Sequence, residues 1–224
     1  NNVYAHVPNI NDFTKGLKLI LSKEGTISLE FPHLLNLIKL NQFDTIYHEH
    51  FSYLSLITTQ KIFSKHDLKI YDVQRLPSHG GSLRIFGAHK NSKKSVSNNV
   101  SDLIKIEQDY GLNNIETYSK SQDRAEKTRN KLIRFLISEK IEDRKVVCYG
   151  AAAKGNTLLN FSGIKKNLVE YVCDKAETKQ NKYLPGSHIP IKSEKELIIN
   201  PPDTIIILPW NLKDEITNFL KTIL

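Results

Sequence analysis

The sequence predicts an α/β protein made of two units, and three observations carry that expectation. Over the first ninety or so residues, short strand-like apolar runs alternate with stretches whose apolar positions recur at helical spacing. Residues 91–140 are polar and read as helix, a stretch of the kind that bridges two domains. From Lys145 a second alternation begins, with the unbroken apolar run KVVCYG leading through AAAKG into a helical stretch. The expected divisions are therefore 1–90, a helical connection over 91–140, and a Rossmann-like unit over 141–224.

Each element has a local reason. Asp12 stands where it can cap a helix whose apolar residues Phe13, Leu17, Ile20 and Leu21 share a face, and Gly25 stands where that helix can end. TISLEF reads as a strand, and Pro32 opens a second helix through HLLNLIKL. The ionisable and aromatic segment DTIYHEHFSY (44–53) follows, then a helix near LITTQKIFSKHD. LKIYDVQRL and GSLRIFGA read as strands with SHGG as the turn between them, so the first unit is expected to be a mixed sheet ending in an antiparallel pair. SVSNNVSDLIKIEQDYG and the long run from Ile115 to Lys140 read as helices. LVEYVCD and TIIILPW supply later strands of the second unit.

The totals narrow the function classes. An apolar content of 39% suffices for a packed core, and no apolar run approaches the roughly 20 residues that span a bilayer. The first ten residues carry no basic-then-apolar signal, and Cys148 and Cys173 lie inside apolar runs without CxxC spacing. A cytoplasmic protein with reduced core cysteines is expected. The formal net charge of +8 favours anionic ligands. The lysines are scattered and no nucleic-acid signature accompanies them, so a nucleotide-linked small molecule suits the charge as well as a nucleic acid does. The chain begins with Asn and contains no Met, which reads as an internal or carboxy-terminal piece of a longer polypeptide.

GAAAKG (150–155) has glycines at the first and sixth positions of a dinucleotide fingerprint but Ala152 at the third, where a methyl group obstructs approach to a pyrophosphate. Asp174 ends the next strand, where a ribose-binding acid would stand. A nicotinamide-dependent oxidoreductase on residues 145–224 is thus one alternative, and a tight strand-to-helix turn is the plainer reading of the same glycines. The helix start with Lys154 remains able to hold an anion.

Taken together, NVYAH at 2–6, FDTIYHEHFSYLS at 43–55, HGGSLR at 79–84 and YGAAAKGNTLLN at 149–160 resemble the S-adenosylmethionine-dependent sugar C-methyltransferases over essentially the whole chain. The resemblance implies the second half of a class I methyltransferase Rossmann-like domain, followed by a second Rossmann-like α/β domain. It implies C-methylation of a nucleotide-linked keto-deoxysugar, with deoxythymidine diphosphate (dTDP) as the expected carrier and a cytoplasmic setting. Complete relatives also carry an amino-terminal zinc-binding region and the glycine-rich turn that grips S-adenosylmethionine. Neither motif is in this sequence, so the cofactor site is expected to be only partly present, with no zinc in this chain and little activity alone. A non-catalytic nucleotide-sugar binding module is the remaining alternative. Neither nucleic acid nor membrane is an expected partner.

The resemblance assigns the general base to the last histidine of the YxEH pattern, His50, with Glu49 and Tyr47 as supporting acid and phenol. The chemistry suits these residues. Removing a proton beside a ketone needs a base free to accept a proton at cytosolic pH, and an imidazole with an unperturbed pKa of about 6.5 suits the role. A carboxylate can orient it and stabilise the imidazolium, and a phenol can donate to the oxyanion. His48 and His50 as metal ligands, or the whole segment as an ordinary loop, are the competing readings. By the same resemblance Asn2 and His6 line the reaction site. His79 and Arg84 are candidates for substrate or phosphate, and Lys154 and Asn156 for the nucleotide diphosphate. Trp210 in LPWN is either a stacking platform or core.

Overall fold

The structure is a computed structural model that describes residues 2–224. The chain divides into two compact units: one holds residues 1–43 and 48–122, the other Asp44–Tyr47 and Asp123–Leu224.

In the first unit, α1 (Ile10–Ile20) is capped by Asn9, whose side-chain oxygen accepts the Asp12 N–H at 3.0 Å. Asp12 therefore lies inside the first turn, where its charge suits the helix amino terminus, and is not itself the cap. The helix stops at Ile20, well before Gly25. β1 (Ile27–Pro32) precedes α2 (Leu34–Lys39). α3 (Leu56–Lys65) is capped by Ser55, whose hydroxyl accepts the Thr58 N–H. β2 (Leu68–Leu76) and β3 (Ser82–His89) form the expected antiparallel pair. β3 also pairs antiparallel with β1, giving the order β1-β3-β2. The sheet is thus antiparallel throughout the described residues rather than mixed. Its core gathers Tyr4, Phe31, Phe63, Leu83 and Ile85, all essentially fully buried.

α4 (Asn98–Tyr110) turns out to be part of this core. Its inner face presents Val100, Leu103 and Glu107, and the helix ends on left-handed Gly111 (φ +88°). The Glu107 carboxylate is completely buried. It accepts the N–H groups of Leu56 and Ile57 at the start of α3, at 2.7 and 2.9 Å, and meets His33 Nε2 at 2.7 Å. Two backbone donors of a helix amino terminus are satisfied from another helix.

α5 (Ile115–Ile141) starts in the first unit and continues into the second. There β4 (Val146–Tyr149), β5 (Val172–Cys173), β6 (Ile191–Lys192) and β7 (Thr204–Ile207) make a parallel sheet in the order β6-β5-β4-β7. α6 (Ala153–Phe161), α7 (Lys195–Ile199) and α8 (Lys213–Ile223) complete the unit. Alternate strand residues serve opposite faces. Val146 and Cys148 pack with Leu136 and Leu159, whereas Val147 and Tyr149 pack with Leu197, Ile216 and Leu220. Both cysteines are buried and unpaired, and burial pushes each thiol pKa up to about 12. Among the described residues no helix is long and apolar enough to cross a membrane.

Candidate functional site

The segment after Tyr47 is fixed to the first unit through its backbone. Phe51 and Ser52 both donate their N–H groups to the carbonyl of Ala5, at 2.9 and 3.1 Å. This tie brings together residues more than forty positions apart in sequence. The His6 and His50 rings sit edge to face with centroids 4.9 Å apart, and Tyr53 stands edge-on to His50 at 6.1 Å. His6 and His50 are half-buried, with atoms in solvent, while His48 and Glu49 are exposed. Among the described residues no group of three His, Cys, Asp or Glu side chains is placed to hold a metal ion.

A second cluster in the same unit contains three more of the expected residues. Asn2 donates its backbone N–H to the Glu30 carbonyl at 2.9 Å, and its side-chain nitrogen lies 3.2 Å from His79 Nε2. Both residues hold positive φ, 56° at Asn2 and 55° at His79, an uncommon conformation for side-chain-bearing residues. Arg84 faces Glu30 directly across the β1–β3 register and binds its carboxylate at 2.7 Å, while Ser78 Oγ donates to the other carboxylate oxygen at 3.0 Å. The guanidinium holds Glu30 below the usual carboxylate range. Arg84 therefore has an internal partner in addition to any substrate role. Asn2 Oδ1 and Arg84 Nε are buried without a hydrogen-bond partner.

Tyr47, by contrast, belongs by its packing to the second unit, with Asp44, Thr45 and Ile46. There Asp44, buried to 5% exposure, accepts a 2.6 Å hydrogen bond from the indole N–H of Trp210. Lys154 Nζ lies 4.3 Å from the centroid of the Trp210 ring and donates to Asn211 Oδ1 at 3.0 Å. Burial pushes the Asp44 carboxyl pKa up and the Lys154 ammonium pKa down, and their mutual attraction opposes both shifts. Asn156, two residues further along α6, keeps a buried Oδ1 with no partner.

The turn between β4 and α6 is filled by the protein itself. Gly150 has φ +91°, and a Cβ there would collide with the Pro209 ring; one at Gly155 would lie 2.6 Å from Leu208 Cβ. The two glycines let the chain following β7 pack against this turn, which agrees with the plainer of the two sequence readings. Asp174 is committed as well. Its oxygens accept the N–H groups of Ala151 at 2.7 Å and Ala176 at 2.8 Å, and Lys179 Nζ lies 3.2 Å away.

Sequence reasoning passed over Glu30, Asp44 and Glu107. Each is an acid whose partner lies far away in sequence, so spacing holds no trace of it. Tyr53 was legible inside DTIYHEHFSY but had no assigned role.

Comparison with known proteins gives this arrangement a context. The C-methyltransferase C-terminal domain family matches residues 77–224. The C-methyltransferase NovU of Streptomyces niveus is 37% identical over 222 residues, which is 99% of this chain and 53% of that protein. The chain thus spans about half the length of the curated relative it matches. With the family matching well over half of its residues, the chain belongs to the C-methyltransferases defined by that carboxy-terminal domain.

Proposed function

We propose that this chain serves C-methylation of a nucleotide-linked keto-deoxysugar, dTDP being the expected carrier, and that His50 is the general base. The observation that carries the reading is the half-buried His50 ring set against His6 at 4.9 Å, inside a YxEH motif. A histidine buried in a core or surrounded by metal ligands would look different. In the step assigned to it, neutral His50 takes the proton from the carbon beside the ketone. The C–H electron pair becomes a carbon–carbon double bond, and the carbonyl π pair moves onto oxygen as an enolate. Tyr47 donates to that oxyanion and Glu49 supports the imidazolium. Asn2, His6 and His79 are the substrate contacts in the first unit, joined by Arg84 beyond its pairing with Glu30. Lys154 and Asn156 are the candidates for a diphosphate in the second unit.

The antiparallel sheet of the first unit supports its reading as the closing half of a class I methyltransferase domain. In the second, strands taken in chain order lie 3-2-1-4, as the first four do in the doubly wound dinucleotide fold, which supports a Rossmann-like reading. S-adenosylmethionine is the methyl donor the family implies, and we read its site as only partly present in this chain. The glycine turn after β4 is packed shut by Pro209 and Leu208, and the sequence offers no other glycine-rich turn between a strand and a helix. The chemistry assigned to this chain therefore stops at the enolate. The nicotinamide alternative loses its two supports in the same turn, because Asp174 is tied to backbone N–H groups.

Enolisation is measurable without a methyl donor. In deuterium oxide, the chain is expected to exchange the proton beside the ketone of a dTDP-linked 4-keto-6-deoxysugar, followed by nuclear magnetic resonance. His50→Ala should lower that rate by about 100-fold or more, the usual scale of a lost general base. Unchanged exchange in the variant would remove His50 from the role.

A further inference from the structure

The YxEH motif is divided between the two units: Tyr47 is carried by the second and His48 onward by the first. Tyr47 belongs to the four-residue stretch Asp44–Tyr47, so whatever fixes that stretch fixes the backbone that carries the phenol. One contact stands out for its chemistry. Asp44 is an acid at 5% exposure whose carboxylate receives the indole N–H of Trp210 at 2.6 Å. A buried carboxylate is retained where hydrogen bonds compensate its desolvation, and an indole has a single N–H to give. The Lys154 ammonium lies over the ring whose edge makes that bond, and Asn211, next to Trp210, holds the ammonium in turn at 3.0 Å. Edge, face and neighbour of one tryptophan are all engaged.

Its place in the chain gives this cluster a purpose. Trp210 comes three residues after the end of β7, in the short 3-10 turn Trp210–Leu212, and Lys154 is the second residue of α6. Both stand on the side of the parallel sheet where β4 and β7 end, so the anchor is built on rigid elements and the loop is what it holds. An ordinary surface loop would need no buried acid, and a core tryptophan would need no cation on its face.

We propose that Trp210 and Asp44 are positioning residues for methyl transfer: their hydrogen bond fastens the Asp44–Tyr47 stretch within the second unit, and with it the backbone that carries the Tyr47 phenol. The proposal rests on the enolate reading above for its catalytic part, and on the hydrogen bond itself for its structural part. Lys154 reinforces the fastening, so its ammonium acts at the indole and the carboxylate in addition to any phosphate contact.

The test compares Trp210→Phe, which keeps an aromatic ring but removes the N–H, with Asp44→Ala and Asp44→Asn. Hydrogen–deuterium exchange reads the backbone of 44–47, and the solvent-exchange assay reads enolisation. Losing a hydrogen bond to a charged group should speed amide exchange over 44–47 by about tenfold or more in Trp210→Phe and Asp44→Ala. Amides of β4 and β7 should keep their protection. Asp44→Asn retains an acceptor for the indole and should restore most of the protection at 44–47. The enolisation rate in Trp210→Phe should fall by about tenfold with little change in apparent KM.

Unchanged exchange at 44–47, or protection lost across the whole second unit, would overturn the proposal. So would full-rate enolisation by Trp210→Phe while His50→Ala is inactive, and that outcome leaves the base assignment standing. A wild-type chain that does not enolise the substrate would overturn the base assignment and the catalytic part of this proposal together.

Discussion

Glu30 shows how much one carboxylate can organise. It stands opposite Arg84 on paired strands, the geometry in which unlike charges stabilise a sheet, and it also receives the Ser78 hydroxyl just before His79. Its pKa is depressed in the folded state, so the stability it contributes is present above the unfolded value of about 4.3 and is lost as pH falls through the folded one. Asp72, held down by the Ser97 hydroxyl and Asn99, adds to the same loss. Thermal melts of the chain between about pH 6 and pH 3 should therefore show stability falling on the acid side. Glu30→Gln should flatten part of that fall while lowering the melting temperature near neutrality. At this scale the sequence was half legible. Arg84 and His79 stood out as polar residues beside paired glycines, but the partners that explain them, Glu30 and Asn2, lie 54 and 77 positions away.

α4 shows why polar composition misleads at the scale of an element. Residues 91–140 read as a solvated connection, yet Glu107 is buried against the start of α3, where it receives the N–H groups of Leu56 and Ile57 and faces His33. The helix itself was legible from Val100 and Leu103 one turn apart. The inward glutamate was not, because nothing local separates it from the exposed acids beside it. Replacing Glu107 with Ala strands two helix donors and a histidine, and should cost about 3–5 kcal/mol in urea unfolding, since each buried group left without its partner costs about 1–3 kcal/mol. Glu107→Gln keeps one acceptor and should cost less. α8 was passed over although Ile216, Phe219, Leu220 and Ile223 form a plain i, i+3, i+4, i+7 stripe on its inner face. β5 and β6, two residues each, are too short for any alternation to announce them.

At the scale of the whole chain, the alternation of strands and helices forecast two α/β units. The four-residue excursion Asp44–Tyr47 from one unit into the other was beyond it, because no feature of spacing or hydropathy signals which core a short loop joins. The excess of positive charge, +8, suits a nucleotide-linked substrate better than it suits a cationic sulfonium donor. With the glycine turn between β4 and α6 packed shut, titration calorimetry of this chain with S-adenosylmethionine should give a Kd weaker than about 1 mM. Micromolar affinity would show that a cradle exists among these residues after all.

The sheet order β6-β5-β4-β7 also has a consequence in time. β4 is made first, yet one of its edges stays uncovered until β7, paired with it across 58 positions, has left the ribosome. Throughout that interval Val147 and Tyr149 lack the α8 residues that later cover them. Pairings this distant in sequence close slowly, and an open strand edge invites intermolecular pairing meanwhile. The same connection that sets Trp210 beside Asp44 is therefore among the last to form, and the Tyr47 stretch waits for nearly the whole chain before it has a place to rest.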